Sequence, residues 1–358
     1  MGVIAAVVFA GALALIALEW SHRTKVALVG AVAMVLLGVL DQEQAIEAVD
    51  WATLGLLAGM MILVGLTERT GVFTYVALRV AQLSGGRPLR LVFLLAGVTG
   101  VLSAFLDNLT AILLVVPITF LLADVLRITP IPLVLVEVLA SNIGGAATLI
   151  GDPPNIIIAS RAGLTFNDFL VHMAPIVIIE LIVFTVVVPR LFRGSFTVNP
   201  ARVADVMALN EREAIQDTGL LIKCGVVLLA VFTAFVAHPV LHIAPSVVAL
   251  LGAGVLVLIS GSKPRHYLAS VEWETLLFFA GLFIMVGALV HTGVIGDLAG
   301  LATDATGGNA LLAVMLILVV SALLSGIIDN IPYVATMSPL VLELSTTFTN
   351  PVHAEALW

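Results

Sequence analysis

Seven stretches of this chain are apolar for long enough to cross a lipid bilayer, at about 2–18, 25–40, 52–67, 172–189, 218–236, 244–260 and 274–290. A helical span needs roughly 17–25 such residues, because the helix rises about 1.5 Å per residue across a hydrocarbon core about 30 Å thick. The apolar residues run in blocks and do not mark a single helix face, so burial in a soluble core does not account for them. The sequence is 61% hydrophobic and 11% charged, where a soluble domain carries about a quarter charged residues. A soluble enzyme is excluded, and an all-α polytopic membrane protein is predicted.

Three longer apolar stretches are interrupted. Those at 89–122 and 311–344 each carry an Asp-Asn pair near the middle, and the one at 131–165 carries a Gly/Pro-rich segment around 144–154. The net charge of −8 includes no Lys/Arg-rich run that could follow a phosphate backbone, so membrane lipid and not nucleic acid is the expected environment. The single cysteine, Cys224, lies in an apolar run and reads as packing. No C-x-x-C or H-x-x-x-H cluster occurs, so no metal centre and no organic cofactor are expected. Residues 2–18 lack the basic leader of a cleaved signal and read as the first membrane helix.

Lys and Arg gather on alternate connections. Arg23 and Lys25, then Arg69, Arg79, Arg87 and Arg90, then Arg127, Arg190, Arg193, Arg202, Arg212 and Lys223, then Lys263 and Arg265 fall on one side. Connections 41–51, 237–243 and 291–310 have none, and only Arg161 falls opposite. The positive-inside rule makes the basic side cytoplasmic and the N-terminus outside, in a multi-pass protein expected at the plasma membrane. This alternation requires 89–122 and 311–344 to return to the side they entered, as re-entrant hairpins.

An internal repeat organises the chain. Val49-Asp50-Trp51 recurs as Val271-Glu272-Trp273, a shift of 271 − 49 = 222. The same shift carries Thr70-Gly71-Val72 to Thr292-Gly293-Val294, Asp107-Asn108 to Asp329-Asn330, and Pro117 to Pro339. One copy begins on the non-basic side and the other on the basic side, which predicts two inverted-topology repeats. The expected division is 1–48 for N-terminal helices, 49–193 for the first repeat, 194–217 for a cytoplasmic linker and 218–358 for the second repeat. Trp358 corresponds to Val136 (358 − 222 = 136), so the second copy is expected to be incomplete, its own broken helix falling beyond the last residue.

The interruptions carry the polar chemistry. An ionised Asp near mid-membrane costs at least about 2.5–3.5 kcal/mol, so Asp107 and Asp329 call for a role or a partner. Hairpin tips leave helix-end amides and carbonyls unpaired, which suits an ion site formed with Asn108 and Asn330. The alternative is that Asp107 merely caps the second half-helix. In Ser141-Asn142-Ile-Gly144-Gly145-Ala-Ala-Thr148-Leu-Ile-Gly151-Asp152-Pro153-Pro154-Asn155, the glycines let backbone carbonyls approach a ligand and the prolines stop one helix and start another. A helix broken inside the membrane is predicted, with an ordinary surface turn as the alternative. Glu137 either faces the resulting cavity or pairs within the bundle, and Glu180 stands without an obvious partner. Segments Thr70–Leu83 and Thr292–Thr306 read as short amphipathic helices cradling the hairpins.

These motifs, Ser103-Ala-Phe-Leu-Asp-Asn-Leu-Thr110, the Ser141–Asn155 run and Ser325-Gly-Ile-Ile-Asp-Asn-Ile-Pro-Tyr-Val-Ala-Thr-Met337, resemble the ion transporter superfamily. Within it they are most similar to the branch of arsenite permeases and melanosomal P protein, with its citrate-transporter-like domain. The resemblance covers essentially the whole chain. It implies two inverted halves, each with a re-entrant hairpin and a discontinuous helix, alternating access, and a homodimer as the assembly. It implies one ion or substrate half-site from Asn108, Thr110, Asn142, Gly144, Gly145 and Thr148, flanked by Asp107, Asp152 and Asn155, and a second using Asp329 and Asn330. Sodium, if it binds, is expected at Asn108, Asn142 and Thr148. Where dicarboxylate carriers of the superfamily have Ser-Asn-Thr at the tips, this chain has Asp107-Asn108-Leu109 and Asp329-Asn330-Ile331. That difference favours proton coupling over a dicarboxylate grip. The expected function is secondary transport of a small inorganic or organic anion, arsenite among the candidates, coupled to protons or sodium. A Na+/H+ antiporter is the alternative. An intramembrane aspartyl protease is remote, because no Gly-x-Gly-Asp motif accompanies the aspartates.

Overall fold

The computed structural model describes residues 1–85, 87–191, 211–326, 328–348, 354, 357 and 358. Residues 194–210 of the expected linker lie outside the described residues. The described secondary structure is helical: α1 (Gly2–Ala17), α2 (Arg23–Leu36), α3 (Gln42–Glu47), α4 (Trp51–Glu68), α5 (Val72–Leu83), α6 (Pro88–Ser103), α7 (Asn108–Leu126), α8 (Ile131–Gly145), α9 (Pro153–Ala162) and α10 (Phe166–Leu191). After a 3-10 turn at Glu211–Ala214 follow α11 (Thr218–Val236), α12 (His238–Leu241), α13 (Pro245–Ser260), α14 (Pro264–Ala269), α15 (Trp273–His291), α16 (Val294–Thr306), α17 (Ala310–Leu324) and α18 (Asn330–Thr347).

Local chemistry sets these boundaries. Proline opens α6, α13 and α14, where its fixed φ fits and its missing amide costs nothing. Asp41 begins α3 with a reciprocal capping box to Gln44, and Asp217 caps α11 by accepting from the Leu220 amide. Five helices, α4, α7, α10, α11 and α15, are individually long and apolar enough to cross a membrane. On α10, Ile178, Ile179, Ile182, Val183 and Val186 are exposed and without protein cover, a face suited to lipid and not to water. The protein is a polytopic membrane protein.

The 222-residue shift appears in the elements themselves. Trp51, Val72, Pro88 and Asn108 open α4, α5, α6 and α7, and their counterparts Trp273, Val294, Ala310 and Asn330 open α15, α16, α17 and α18. Gly71 and Gly293 both stand at φ 79°, and Gly85 and Gly307 at 59° and 57°, left-handed corners that favour glycine. The acidic residue before each Trp also repeats its contact: Asp50 accepts from the Thr53 hydroxyl at 2.9 Å, and Glu272 from the Thr275 hydroxyl at 3.0 Å.

The chain forms two compact units. One comprises residues 56–155 and 165–271. In it α6 and α8 lie so close that a Cβ on Gly144 would fall 2.1 Å from the Gly100 carbonyl oxygen. Around that crossing Leu91, Leu95, Val115, Ile118, Leu122, Leu133, Val136 and Val188 form the buried core, and α5 packs on both α6 and α7. The other unit comprises residues 1–55, 156–164 and 272–358. There α2 packs along α15, with Gly281 against the Ala27 backbone and Gly30 beneath Met285. There α16 packs on both α17 and α18 through Ala299, Ala313, Val341 and Leu344, and the chain bends by 117° between α16 and α17.

Candidate functional site

The predicted helix break is present: α8 ends at Gly145, residues 146–152 are non-helical, and α9 restarts at Pro153. The hairpin tip between α6 and α7 lies against it, and the polar side chains of both bind mostly backbone carbonyls. Ser103 Oγ donates to the Ser141 carbonyl at 2.8 Å, and Ser141 Oγ donates to the Asn108 carbonyl at 2.9 Å. The Thr148 hydroxyl donates to the Ala104 carbonyl, and the Gly151 amide donates back to Thr148 Oγ1 at 3.2 Å. Asn155 Nδ2 bridges the break, donating to the carbonyls of Gly145 at 3.0 Å and Thr148 at 2.8 Å. The bonds to Ala104, Gly145 and Thr148 satisfy carbonyls that a helix end or an irregular segment would otherwise leave bare in an apolar medium. Gly144, Gly145 and Gly151 allow this approach: a Cβ on Gly151 would stand 2.5 Å from the Gly145 carbonyl oxygen and 2.7 Å from that of Ser103.

At the exposed edge of this assembly two carboxamides meet, with Asn108 Nδ2 donating to Asn142 Oδ1 at 3.2 Å. Asn108 Oδ1 accepts from the Leu109 amide. Asn142 is exposed, and its own amide nitrogen points to no partner among the described residues. Donors of this kind suit the oxygens of an anion. Asp107 serves as the cap of α7, its Oδ1 accepting from the Thr110 amide at 2.9 Å and its Oδ2 from the Thr110 hydroxyl at 2.5 Å. Asp152 begins the restart of the chain and lends its carbonyl to the Asn155 amide at 3.0 Å. The structure thus gathers Asp107, Asn108, Thr110, Asn142, Gly144, Gly145, Thr148, Asp152 and Asn155 around one tip and one break. Of the three residues expected for sodium, Asn108 and Asn142 meet, while the Thr148 hydroxyl proton is committed to Ala104.

The second tip is held differently. Asp329 precedes α18 but forms no side-chain cap, and its Oδ2 pairs with Arg23 Nη1 at 2.9 Å. The guanidinium also lies over the Phe278 ring, 5.4 Å from its centroid. Next to it His22 Nε2 stands 2.9 Å from Glu274 Oε1. Asn330 accepts the Ser325 hydroxyl at 2.5 Å. The cause is sequence: Thr110 corresponds to Pro332, which has neither amide hydrogen nor hydroxyl to offer Asp329. Sequence reasoning placed Arg23 only as a basic loop residue. Pro332 is the signal that Asp329 needs another partner, though it does not say which.

The same unit holds an open cavity of about 470 Å³, lined among others by Gln44, Glu47, Asp50, Ser160, Arg161 and His291. Ser160 Oγ donates to Asp50 Oδ2 at 2.5 Å. Both signs of charge line it, so it does not select for an anion.

The chain matches the family model described as citrate transporter over residues 13–358. An uncharacterized transporter of Mycobacterium tuberculosis is 56% identical over 362 residues, covering 100% of this chain and 84% of that protein. The 46 kDa membrane protein of Mycobacterium leprae is also 56% identical over 362 residues, with the same coverage of 100% and 84%. The P protein of Homo sapiens is 33% identical over 424 residues, spanning 96% of this chain and 51% of its own length.

Proposed function

The chain belongs to the citrate transporter family, and from that premise we propose that it is a secondary active transporter carrying a small inorganic or organic anion, coupled to protons or sodium. The observation that carries this reading is the knitting of hairpin tip to helix break, which leaves the Asn108–Asn142 carboxamide pair at its exposed edge. A rigid half-site of backbone-anchored donors, bordered by a discontinuous helix, is what secondary transporters place at the repeat interface. The two copies are read as inverted halves whose relative movement exposes the site to each side in turn. Arg23 at the second tip supplies positive charge for an anion, with Asp329 as its resident counter-ion when none is bound. A homodimer in the plasma membrane, with the N-terminus outside, completes the reading.

Flux measurements on the full-length protein in liposomes test it, with citrate, arsenite and phosphate offered separately under imposed proton or sodium gradients. Saturable, gradient-dependent uptake of one of them is expected, and Asn108→Ala or Asn142→Ala should remove it. Proton flux that depends on a cation and proceeds with no anion present would instead assign a Na+/H+ antiporter. Uptake that neither saturates nor follows a gradient overturns the proposal.

A further inference from the structure

Glu137 is fully buried, at 0% exposure. It lies on α8 one turn before Ser141 and Asn142, on the helix that carries half of the candidate site. Its Oε1 accepts the hydroxyl of Thr119 on α7. Among the described residues its Oε2 has no hydrogen-bond partner, and only Thr99 Oγ1, on the neighbouring α6, is a second buried side-chain atom in that state. Leu133, Val136 and Ala140 of α8, with Ile118 and Leu122 of α7 and Leu95 of α6, form the buried apolar cluster around this level.

Among the described residues no cation offsets the carboxyl. The helices packed on α8 are α6, α7 and α10. Their ionisable groups Arg90, Asp124, His172, Glu180 and Arg190 are exposed. Asp168 is engaged by the Thr165 amide and hydroxyl, and Asp107 by Thr110. A buried carboxylate without a counter-charge is among the costliest groups a fold can hold, by several kcal/mol. Binding one proton removes that charge. The acid can carry its proton on Oε1 and donate to the Thr119 hydroxyl, which accepts as well as donates, so that only a neutral carbonyl oxygen stays unpaired. A carboxyl used only for packing would gain from replacement by an apolar residue. Pro117, two residues before Thr119, deletes an amide donor from α7, so the helix facing Glu137 lacks one backbone hydrogen bond close to Thr119.

We propose that Glu137 is a proton-binding site of the transport cycle: it takes up one proton as the acid and releases it to water as the carboxylate, with no other bond made or broken. The proposal rests on the transporter reading, which names a proton as one of two coupling ions, and it moves the proton from the hairpin-tip aspartates to α8.

The test uses the full-length protein in lipid and needs no substrate for its first arm. Infrared difference spectra between acid and alkaline buffer should show a carboxylic-acid C=O band that Glu137→Gln loses, that Glu180→Gln keeps, and that Thr119→Val shifts in frequency and in midpoint pH. In the second arm, citrate uptake should follow external pH in the wild type and in Glu180→Gln, and be independent of pH in Glu137→Gln. An unchanged infrared band in Glu137→Gln overturns the proposal, as does a wild-type pH profile of uptake in that variant. If Glu137→Gln does not fold, the Thr119→Val band shift decides, and its absence counts against the site. A wild type that carries no citrate counts against citrate as the transported anion, and the infrared arm then decides the proton site by itself.

Discussion

At the first hairpin tip Thr110 offers Asp107 a backbone amide and a hydroxyl, and both carboxylate oxygens are used. At the second tip position 332 is proline, and Asp329 turns to Arg23. One side-chain difference three residues on separates a structural cap from an ion pair. Asparagine caps a helix about as well as aspartate, whereas alanine forfeits roughly 1 kcal/mol. Asp107→Asn should therefore leave the thermal unfolding midpoint in detergent unchanged and Asp107→Ala should lower it. Coupling through the Asp107 charge requires the Asn variant to lose gradient-driven uptake despite its intact cap; a wild-type pH profile in that variant rejects the role. For the other tip, Arg23 and Asp329 are 35% and 39% exposed, so water screens the pair. A double-mutant cycle of Arg23→Gln and Asp329→Asn should return no more than about 1 kcal/mol of stability coupling. A coupling several times larger would mark the pair as a structural clasp and not as a displaceable counter-ion.

Between elements, the crossing of α6 and α8 is set by backbone. A Cβ on Gly144 meets the Gly100 carbonyl and α-carbon at 2.1 and 2.5 Å, and backbone cannot rotate out of the way as a side chain would. Gly97, one turn earlier on α6, has nothing within 4 Å of the place a methyl group would take. Gly144→Ala should cost about 1–3 kcal/mol or prevent folding, while Gly97→Ala should be neutral or gain up to about 1 kcal/mol; comparing unfolding midpoints of the two checks this. If both variants behave alike, the close crossing is not what holds the break in place. Much at this scale was legible beforehand. The Asp-Asn, Gly-Gly and Pro-Pro interruptions are strong punctuation: α6, α8 and α17 end, and α7, α9 and α18 begin, within a few residues of them. The knitting was not legible, because Thr148 reaches Ala104 and Asn155 reaches Gly145 through a fold that brings distant or turned backbone together. Nor was the length of α7: at 19 residues it is long enough to cross by itself, although its sequence reads as the returning arm of a re-entrant hairpin.

For the molecule as a whole, orientation is the property most open to direct measurement. Cys224 is buried, so a Cys224→Ala background leaves single introduced cysteines as the only targets. Glu43→Cys should react with a membrane-impermeant maleimide from outside intact cells, and His266→Cys only after the membrane is opened. Reversed labelling would overturn the assignment of the basic loops to the cytoplasm. Composition, apolar block length, the 222-residue register and the interrupting motifs determined by themselves that the chain is a helical membrane protein with a repeated hairpin and a broken helix. Those properties depend on runs of residues and local backbone preference, which a linear sequence carries in full. Tertiary structure alone decided that residues 156–164 join a unit with 1–55 and 272–358, that Asp107 is a cap while Asp329 holds Arg23, and that Glu137 is buried with no counter-charge among the described residues. Partner choice depends on which groups packing brings within about 3 Å of one another, and residues 23 and 329 are separated by most of the chain.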